Sequence, residues 1–178
     1  NFAQRFNHRY GTDFFPEPHA YNFSGELVKV PGLDGKGKMG KSEGDGNAIY
    51  LRDDDQIIIK KVMKAKTDIG PTHENSKKPE EIKNLFALLG LVSTPDTIQH
   101  FEDAWNQCNI RYGDLKKQLA SDMISFVSPI REKIVDLDNN EALLKKISQQ
   151  GAEKARVSAQ ETLKGVRELM GLTSIWEY

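Results

Sequence analysis

Residues 38 to 42 read Lys-Met-Gly-Lys-Ser, inside a stretch from Leu33 to Asn47 that holds three lysines, five glycines and one serine. Ammonium groups beside a hydroxyl and free backbone N–H groups suit a polyphosphate whose charge shifts during reaction. Lys38, Lys41 and Ser42 bring such groups together on this glycine-rich stretch. Met39 is an isolated apolar side chain that a solvated linker does not need. The linker is the competing reading, because glycine costs entropy to order. His8, His19, His73 and His100 have no metal-like spacing and read as structural or solvated. Cys108, placed in a helix beside Trp105, reads as semi-buried rather than catalytic. No carboxylate cluster identifies itself as a metal site.

These residues need elements to hold them. Upstream, "GELVKVPG", Gly25 to Gly32, is the one plausible buried strand, and "GTDFFPEPHAYN" before it carries the turn residues Pro16 and Pro18. At the start, Phe2, Phe6 and Tyr10 recur every four residues, the spacing of an apolar helix stripe. That stripe reads as a helix joined mid-course, and so as part of a fragment that packs against something upstream.

Downstream the chain becomes a succession of helices with readable ends. Asp53, three residues before Gln56, predicts a capping-box start and a helix from about Asp54 to Lys66. Pro79 at the first helical position, Glu80 and Glu81 in the first turn and Gly90 at the stop predict the next. Thr94 as cap, with Pro95 after it, predicts a third. Leu115, Leu119, Met123, Phe126 and Ile130 keep helical spacing through a fourth, which Pro129 should kink and Asn139-Asn140 should end. In the last, Ala152, Ala155, Ala159, Leu163, Val166 and Met170 share one face, with small residues that let a neighbouring helix approach closely. Arg156 and Arg167 lie at the edge of that stripe, placed to snorkel over a neighbour or to meet phosphates. Lys60, Lys61, Lys64 and Lys66 read as a solvated face with phosphate contact as the alternative, and Trp105 and Trp176 as packing residues.

The 178 residues are 38% hydrophobic and 29% charged, with a formal net charge of −1. This is the profile of a helix-leaning globular protein without a global basic field, so any nucleic-acid surface must be local and no DNA partner is implied. One cysteine excludes an internal disulfide and favours a reducing compartment. No apolar run reaches membrane-spanning length and no charged-then-apolar leader opens the sequence. The expectation is a cytoplasmic protein with no membrane partner.

A Lys-Met-x-Lys-Ser loop between a short strand and an all-helical region resembles the second signature of the class I aminoacyl-tRNA synthetases. "RFNHRYG", "KMGKSEGDGNAIYL", "TDIGPT", "KPEEIKNLFALLG", "YGDLKKQLASDMISFVSPIREK", "GAEKAR" and "ELMGL", in that order, are similar to the C-terminal half of the bacterial tryptophanyl-tRNA synthetases. The resemblance implies a mainly α fold: a bundle-like helical anticodon-binding domain, 53–178, preceded by the tail of a Rossmann-like nucleotide-binding domain, 1–52. The tyrosyl-tRNA synthetases share the architecture, and a free-standing helical RNA-binding or adaptor module that inherited the loop is the alternative of a different class.

What the resemblance implies for chemistry is a tryptophan-tRNA ligase: ATP with Mg²⁺ activates tryptophan as its adenylate, and the tryptophan is then transferred to tRNA(Trp) with release of AMP. Lys41 would carry much of the task of neutralising the leaving pyrophosphate, with Lys38 as companion. Met39, Gly40 and Ser42 would complete the ATP-binding loop, and the Val30 backbone would lie beside the adenine. Met39 would also pack against the helical domain, Arg156 and Arg167 would contact tRNA, and the intact enzyme would be a homodimer. The first ATP signature and the amino-acid pocket would lie before Asn1, so the chain alone is expected to be inactive. Gly40 departs from the serine more usual at that position.

Overall fold

The computed structural model describes residues 1–21, 29–35, 37–40, 42 and 44–172. Among them are six α-helices and no strand: α1 Phe2–Tyr10, α2 Asp55–Met63, α3 Glu80–Val92, α4 Pro95–Asn106, α5 Tyr112–Asp138 and α6 Glu141–Leu169. The fold is mainly α, as the sequence predicts. Most of the strand expected at 25–32 falls outside the described residues. Its described end makes only an isolated antiparallel bridge, Pro31 with Lys38.

Two compact units emerge, Val28–Asp136 and a second built from Asn1–Leu27 with Leu137–Tyr178. The first is organised by apolar residues at helical spacing. Ile58 and Val62 of α2, Ile82, Leu85, Leu88 and Leu89 of α3, Trp105 of α4, and Leu115 and Leu119 of α5 are almost wholly buried in one cluster. Burying a side chain of this size removes about 2 kcal/mol worth of apolar surface from water, so this cluster is the main source of cohesion. The indole N–H of Trp105 donates to the Ser76 carbonyl at 2.8 Å, which lets that residue be buried without an unpaired polar atom.

The helix ends correct several expectations. Asp54, not Asp53, caps α2 and accepts the Ile57 N–H at 2.7 Å; Asp53 is freed for another role. Pro79 is the cap residue of α3 rather than its first helical residue, and the helix runs past Gly90 to Val92 because Leu88 and Leu89 are held in the core. Thr94 caps α4, with Pro95 in first place. Cys108 lies beyond α4 with φ 55° and is exposed, so it is neither helical nor semi-buried. Helix α5 remains one 27-residue helix through Pro129, and Val127 rather than Phe126 is buried at that turn.

In the second unit Asn1 and Gln4 form a capping box at the start of α1. Phe6 is buried among Phe2, Tyr10, Phe14 and Phe15, with ring centroids 4.7 to 6.4 Å from its own. Asn7 clamps the Phe15 backbone, donating to its carbonyl at 2.7 Å and accepting its N–H at 3.1 Å. The alanine stripe of α6 does not bury: no residue of α6 is buried, and the close approach is made instead at Gly165, where a Cβ would lie 2.5 Å from the Phe14 ring.

Candidate functional site

The signature residues stand on a small hairpin-like turn. Met39 N–H donates to the Val30 carbonyl at 2.8 Å, Pro31 bridges to Lys38, and the Gly32 N–H points to the Gly37 carbonyl at 3.4 Å. Between them the chain reverses through Gly35 and Gly37, both with left-handed φ (78° and 62°), a conformation that other residues adopt only at a cost. A Cβ on Gly35 would also come within 3.0 Å of the Glu81 Cβ, so glycine is what lets this turn lie against α3.

Leu33 fixes the turn from below. Its side chain is buried in the helical core, and its carbonyl accepts the Lys66 N–H at 3.1 Å. Met39 packs against the same core, and its sulfur accepts the Ile49 N–H at 3.3 Å. Met39 thereby ties the signature to the helices, which answers why an apolar residue sits in this lysine-rich stretch.

The return path is tied as firmly. Asn47 is buried; its N–H donates to the Gly44 carbonyl at 3.1 Å, its carbonyl accepts the Leu33 N–H at 3.2 Å, and its Oδ1 accepts the Asp34 N–H at 2.9 Å. Lys61 of α2 donates to the Ala48 carbonyl at 2.9 Å and to Asp53 Oδ2 at 2.6 Å, and stands 4.5 Å from the Tyr50 ring centroid. Asp53 Oδ2 also accepts the Tyr50 N–H at 2.9 Å. From α5, Arg131 donates to the Asp53 carbonyl at 2.5 Å and pairs with Asp55 at 2.6 Å. The Tyr50 hydroxyl donates to Asp45, and burial together with the Asp45 and Asp53 carboxylates raises the phenol above its usual pKa.

Each expected site residue can now be placed. Lys38 is exposed, with no ion pair among the described residues. Gly40 is half-buried, and a Cβ there would meet nothing within 4 Å, so the departure from serine is not imposed by crowding. Ser42 is exposed; Lys41 lies outside the described residues. Val30 is 37% exposed, its carbonyl engaged by Met39. Arg156 pairs with Glu153 of its own helix at 2.6 Å, and Arg167 sits in the last turn of α6; both belong to the second unit.

Four residues of the site escaped sequence reading. Asp53 looked like a helix cap and Lys61 like part of a solvated face. The rule that separates them is i-to-i+3 capping: once Asp54 supplies the cap, Asp53 points back at the turn. Asn47 and Arg131 carried no motif. Lys60 and Lys64 do face solvent, lining a cleft of about 250 Å³ with Asp45, Gly46, Ile57 and Lys61. Among the described residues no three His, Cys, Asp or Glu side chains converge in a way that could hold a metal, and no helix is long and apolar enough to cross a membrane.

Comparison with known proteins agrees with this geometry. The sequence profile of the tRNA synthetases class I (W and Y) matches residues 1–128. A tryptophan–tRNA ligase of Porphyromonas gingivalis is 55% identical over 170 residues, covering 96% of this chain and 51% of that protein. One from Chlamydia caviae is 34% identical over 177 residues, covering 99% and 50%. The crystal structure of tryptophanyl-tRNA synthetase from Campylobacter jejuni, complexed with ADP and tryptophan, superposes with a TM-score of 0.72 at 28% identity, covering 96% of this chain and 51% of that one. The chain thus spans about half the length of the relatives it matches. A profile that covers both roots of the signature turn and the helices that seat it shows that the chain belongs to the class I tRNA synthetases (W and Y).

Proposed function

We propose that this chain is the part of a tryptophan-tRNA ligase that supplies the pyrophosphate-neutralising signature loop and a helical tRNA-binding region. The observation that carries the reading is the seat of Met39: this half-buried apolar side chain packs against the helical core while its neighbour Lys38 stays exposed. The tryptophan carboxylate attacks the α-phosphate of ATP and pyrophosphate departs; a terminal hydroxyl of tRNA(Trp) then attacks the acyl carbon of the adenylate, taking the tryptophanyl group and releasing AMP. Neither step needs a nucleophilic side chain, so the protein acts by orientation and by neutralising charge on the leaving group. Lys41 is assigned the leaving pyrophosphate, Lys38 its flank, and Ser42 with the Gly40 N–H a phosphate oxygen. The Val30 backbone is assigned the adenine edge. Mg²⁺ would accompany ATP and supply charge neutralisation at the phosphates; among the described residues no carboxylate cluster is assigned to hold it.

By function we place the boundary at 52/53, with 1–52 completing the nucleotide-binding domain and 53–178 forming the tRNA-binding domain, where Arg156 and Arg167 meet phosphates. That the signature turn coheres with α2 to α5 supports a loop whose position reports that of the helices. A cytoplasmic homodimer completes the proposal. The test is ATP–pyrophosphate exchange by the full-length protein that carries this chain. Exchange dependent on tryptophan is expected. Exchange with tyrosine instead would move the assignment to the tyrosyl enzymes, and exchange with neither would favour a helical adaptor.

A further inference from the structure

Asn47 holds an arrangement that stability alone would not select. It is 4% exposed, and its Nδ2 has no hydrogen-bond partner among the described residues. A buried donor left unpaired is unfavourable, and a smaller or apolar residue would avoid it. The amide is nevertheless pressed against Gly32, where a Cβ would lie 2.4 Å from Asn47 Oδ1, 2.5 Å from Nδ2 and 2.8 Å from Cγ. Gly32 has no positive φ to explain its glycine, so it is this side chain that requires the missing Cβ. Through Oδ1 and its own carbonyl Asn47 takes the N–H groups of Asp34 and Leu33, the two residues that follow Gly32. The backbone it braces is the one paired with Lys38 and Met39 through the Pro31 bridge and the Val30 carbonyl.

We propose that Asn47 is a positioning residue for adenylate formation: by bracing the 30–34 limb against the 44–49 limb it sets where the signature lysine Lys38 stands, and the unpaired Nδ2 is tolerated for the sake of the Oδ1 contact. The inference rests on the reading of the chain as part of a tryptophan-tRNA ligase. It adds to that reading a residue outside the signature, and Gly32 as the residue that makes room for it. A displacement on the order of 1 Å in a catalytic group costs about a hundredfold in rate, so a brace that touches no substrate can still govern the chemical step.

The experiment is single-turnover adenylate formation by the full-length protein with tryptophan, ATP being varied, for wild type, Asn47→Ala, Asn47→Asp, Gly32→Ala and the Gly32→Ala/Asn47→Ala pair. Asn47→Ala is expected to lower the rate about ten- to a hundredfold with the ATP half-saturation within about threefold of wild type. Asn47→Asp, which keeps an acceptor for the Asp34 N–H, should recover most of that loss. Gly32→Ala should mimic Asn47→Ala, and the pair should be no slower than the slower single variant, because both remove one contact. A rate within twofold of wild type for Asn47→Ala overturns the proposal. So does a loss matched by an equal loss of folded protein in a thermal melt, or multiplicative losses in the pair. Where Gly32→Ala does not fold, the contrast of Asn47→Ala with Asn47→Asp decides alone. An inactive wild type would instead sink the parent reading, which keeps the two failures apart.

Discussion

Lys61 Nζ lies 2.6 Å from Asp53 Oδ2, with both side chains nearly out of water, 13% and 10% exposed. Because the same ammonium also holds the Ala48 carbonyl, the pair fastens the returning limb of the signature turn to the last turn of α2. Removing one charge strands the other, so Lys61→Met or Asp53→Asn should each cost about 2 to 3 kcal/mol, somewhat less than the roughly 3 to 5 kcal/mol of a fully buried pair because both side chains keep some exposure. Changing both should cost clearly less than the sum, as urea unfolding of the double variant will show.

The signature lysines should act on the transition state. In the full-length protein Lys41→Ala should slow adenylate formation about a hundredfold, on the order of 3 kcal/mol, while ATP affinity changes little. Lys60→Ala serves as the control, since Lys60 is exposed on α2 and lines the neighbouring cleft. Single-turnover rates with ATP varied should show almost no loss for it. A Lys41 effect confined to ATP affinity, or an equal rate loss from Lys60→Ala, would refute the assignment.

Gly40 can be tested by addition. With nothing within 4 Å of a Cβ at this position, Gly40→Ser should fold with an unchanged melting temperature. It should leave the adenylation rate within about threefold of wild type, because one donor would be added to the proposed cradle of backbone N–H groups. A large loss of stability in a thermal melt would show that the turn needs glycine here after all.

Tyr112 gives a pH signature. Its hydroxyl donates to the Asp68 carboxylate, and burial first, then that hydrogen bond and the nearby charge, raises its pKa from the ordinary 10.0. A raised acid favours the protonated fold, so its contribution is complete below pH 10 and is lost as pH climbs toward the folded value. Urea midpoints followed from neutral pH to pH 11 or so should fall less steeply above pH 10 in Tyr112→Phe than in wild type. The buried Lys116, whose pKa burial lowers, works the other way by favouring its neutral form, but it is present in both proteins and cancels in the comparison.

Helix existence was legible because the apolar spacing and caps sit within a few residues of each other, as at Thr94-Pro95. Helix ends were less so: Gly90 is a good stop locally, yet the helix passes it because core contacts of Leu88 and Leu89 outweigh a glycine's cost. Burial on α5 shifted by one residue at Phe126, since spacing gives a face only to within the width of the stripe. At the site, Lys38 and Met39 announced themselves by type. Asn47, Asp53, Lys61 and Arg131 did not, because what matters in them is a partner 8 to 78 residues away. The stripe on α6 shows the reverse limit: a clear periodicity, with no burial in the described structure.

The end of α2 belongs, in effect, to another helix. Lys116 of α5 reaches 51 residues back along the chain to hold the Ala65 carbonyl at 2.6 Å, one residue before the Lys66 N–H that grips Leu33 beneath the signature turn. Arg131, farther along α5, holds the start of the same helix through the Asp53 carbonyl. The signature is therefore seated in part by two α5 side chains that lie far from it in sequence. A chimera that joins one parent's residues 30–66 to another's α5 keeps both ends of α2 held only where that α5 carries a lysine and an arginine in the places of Lys116 and Arg131.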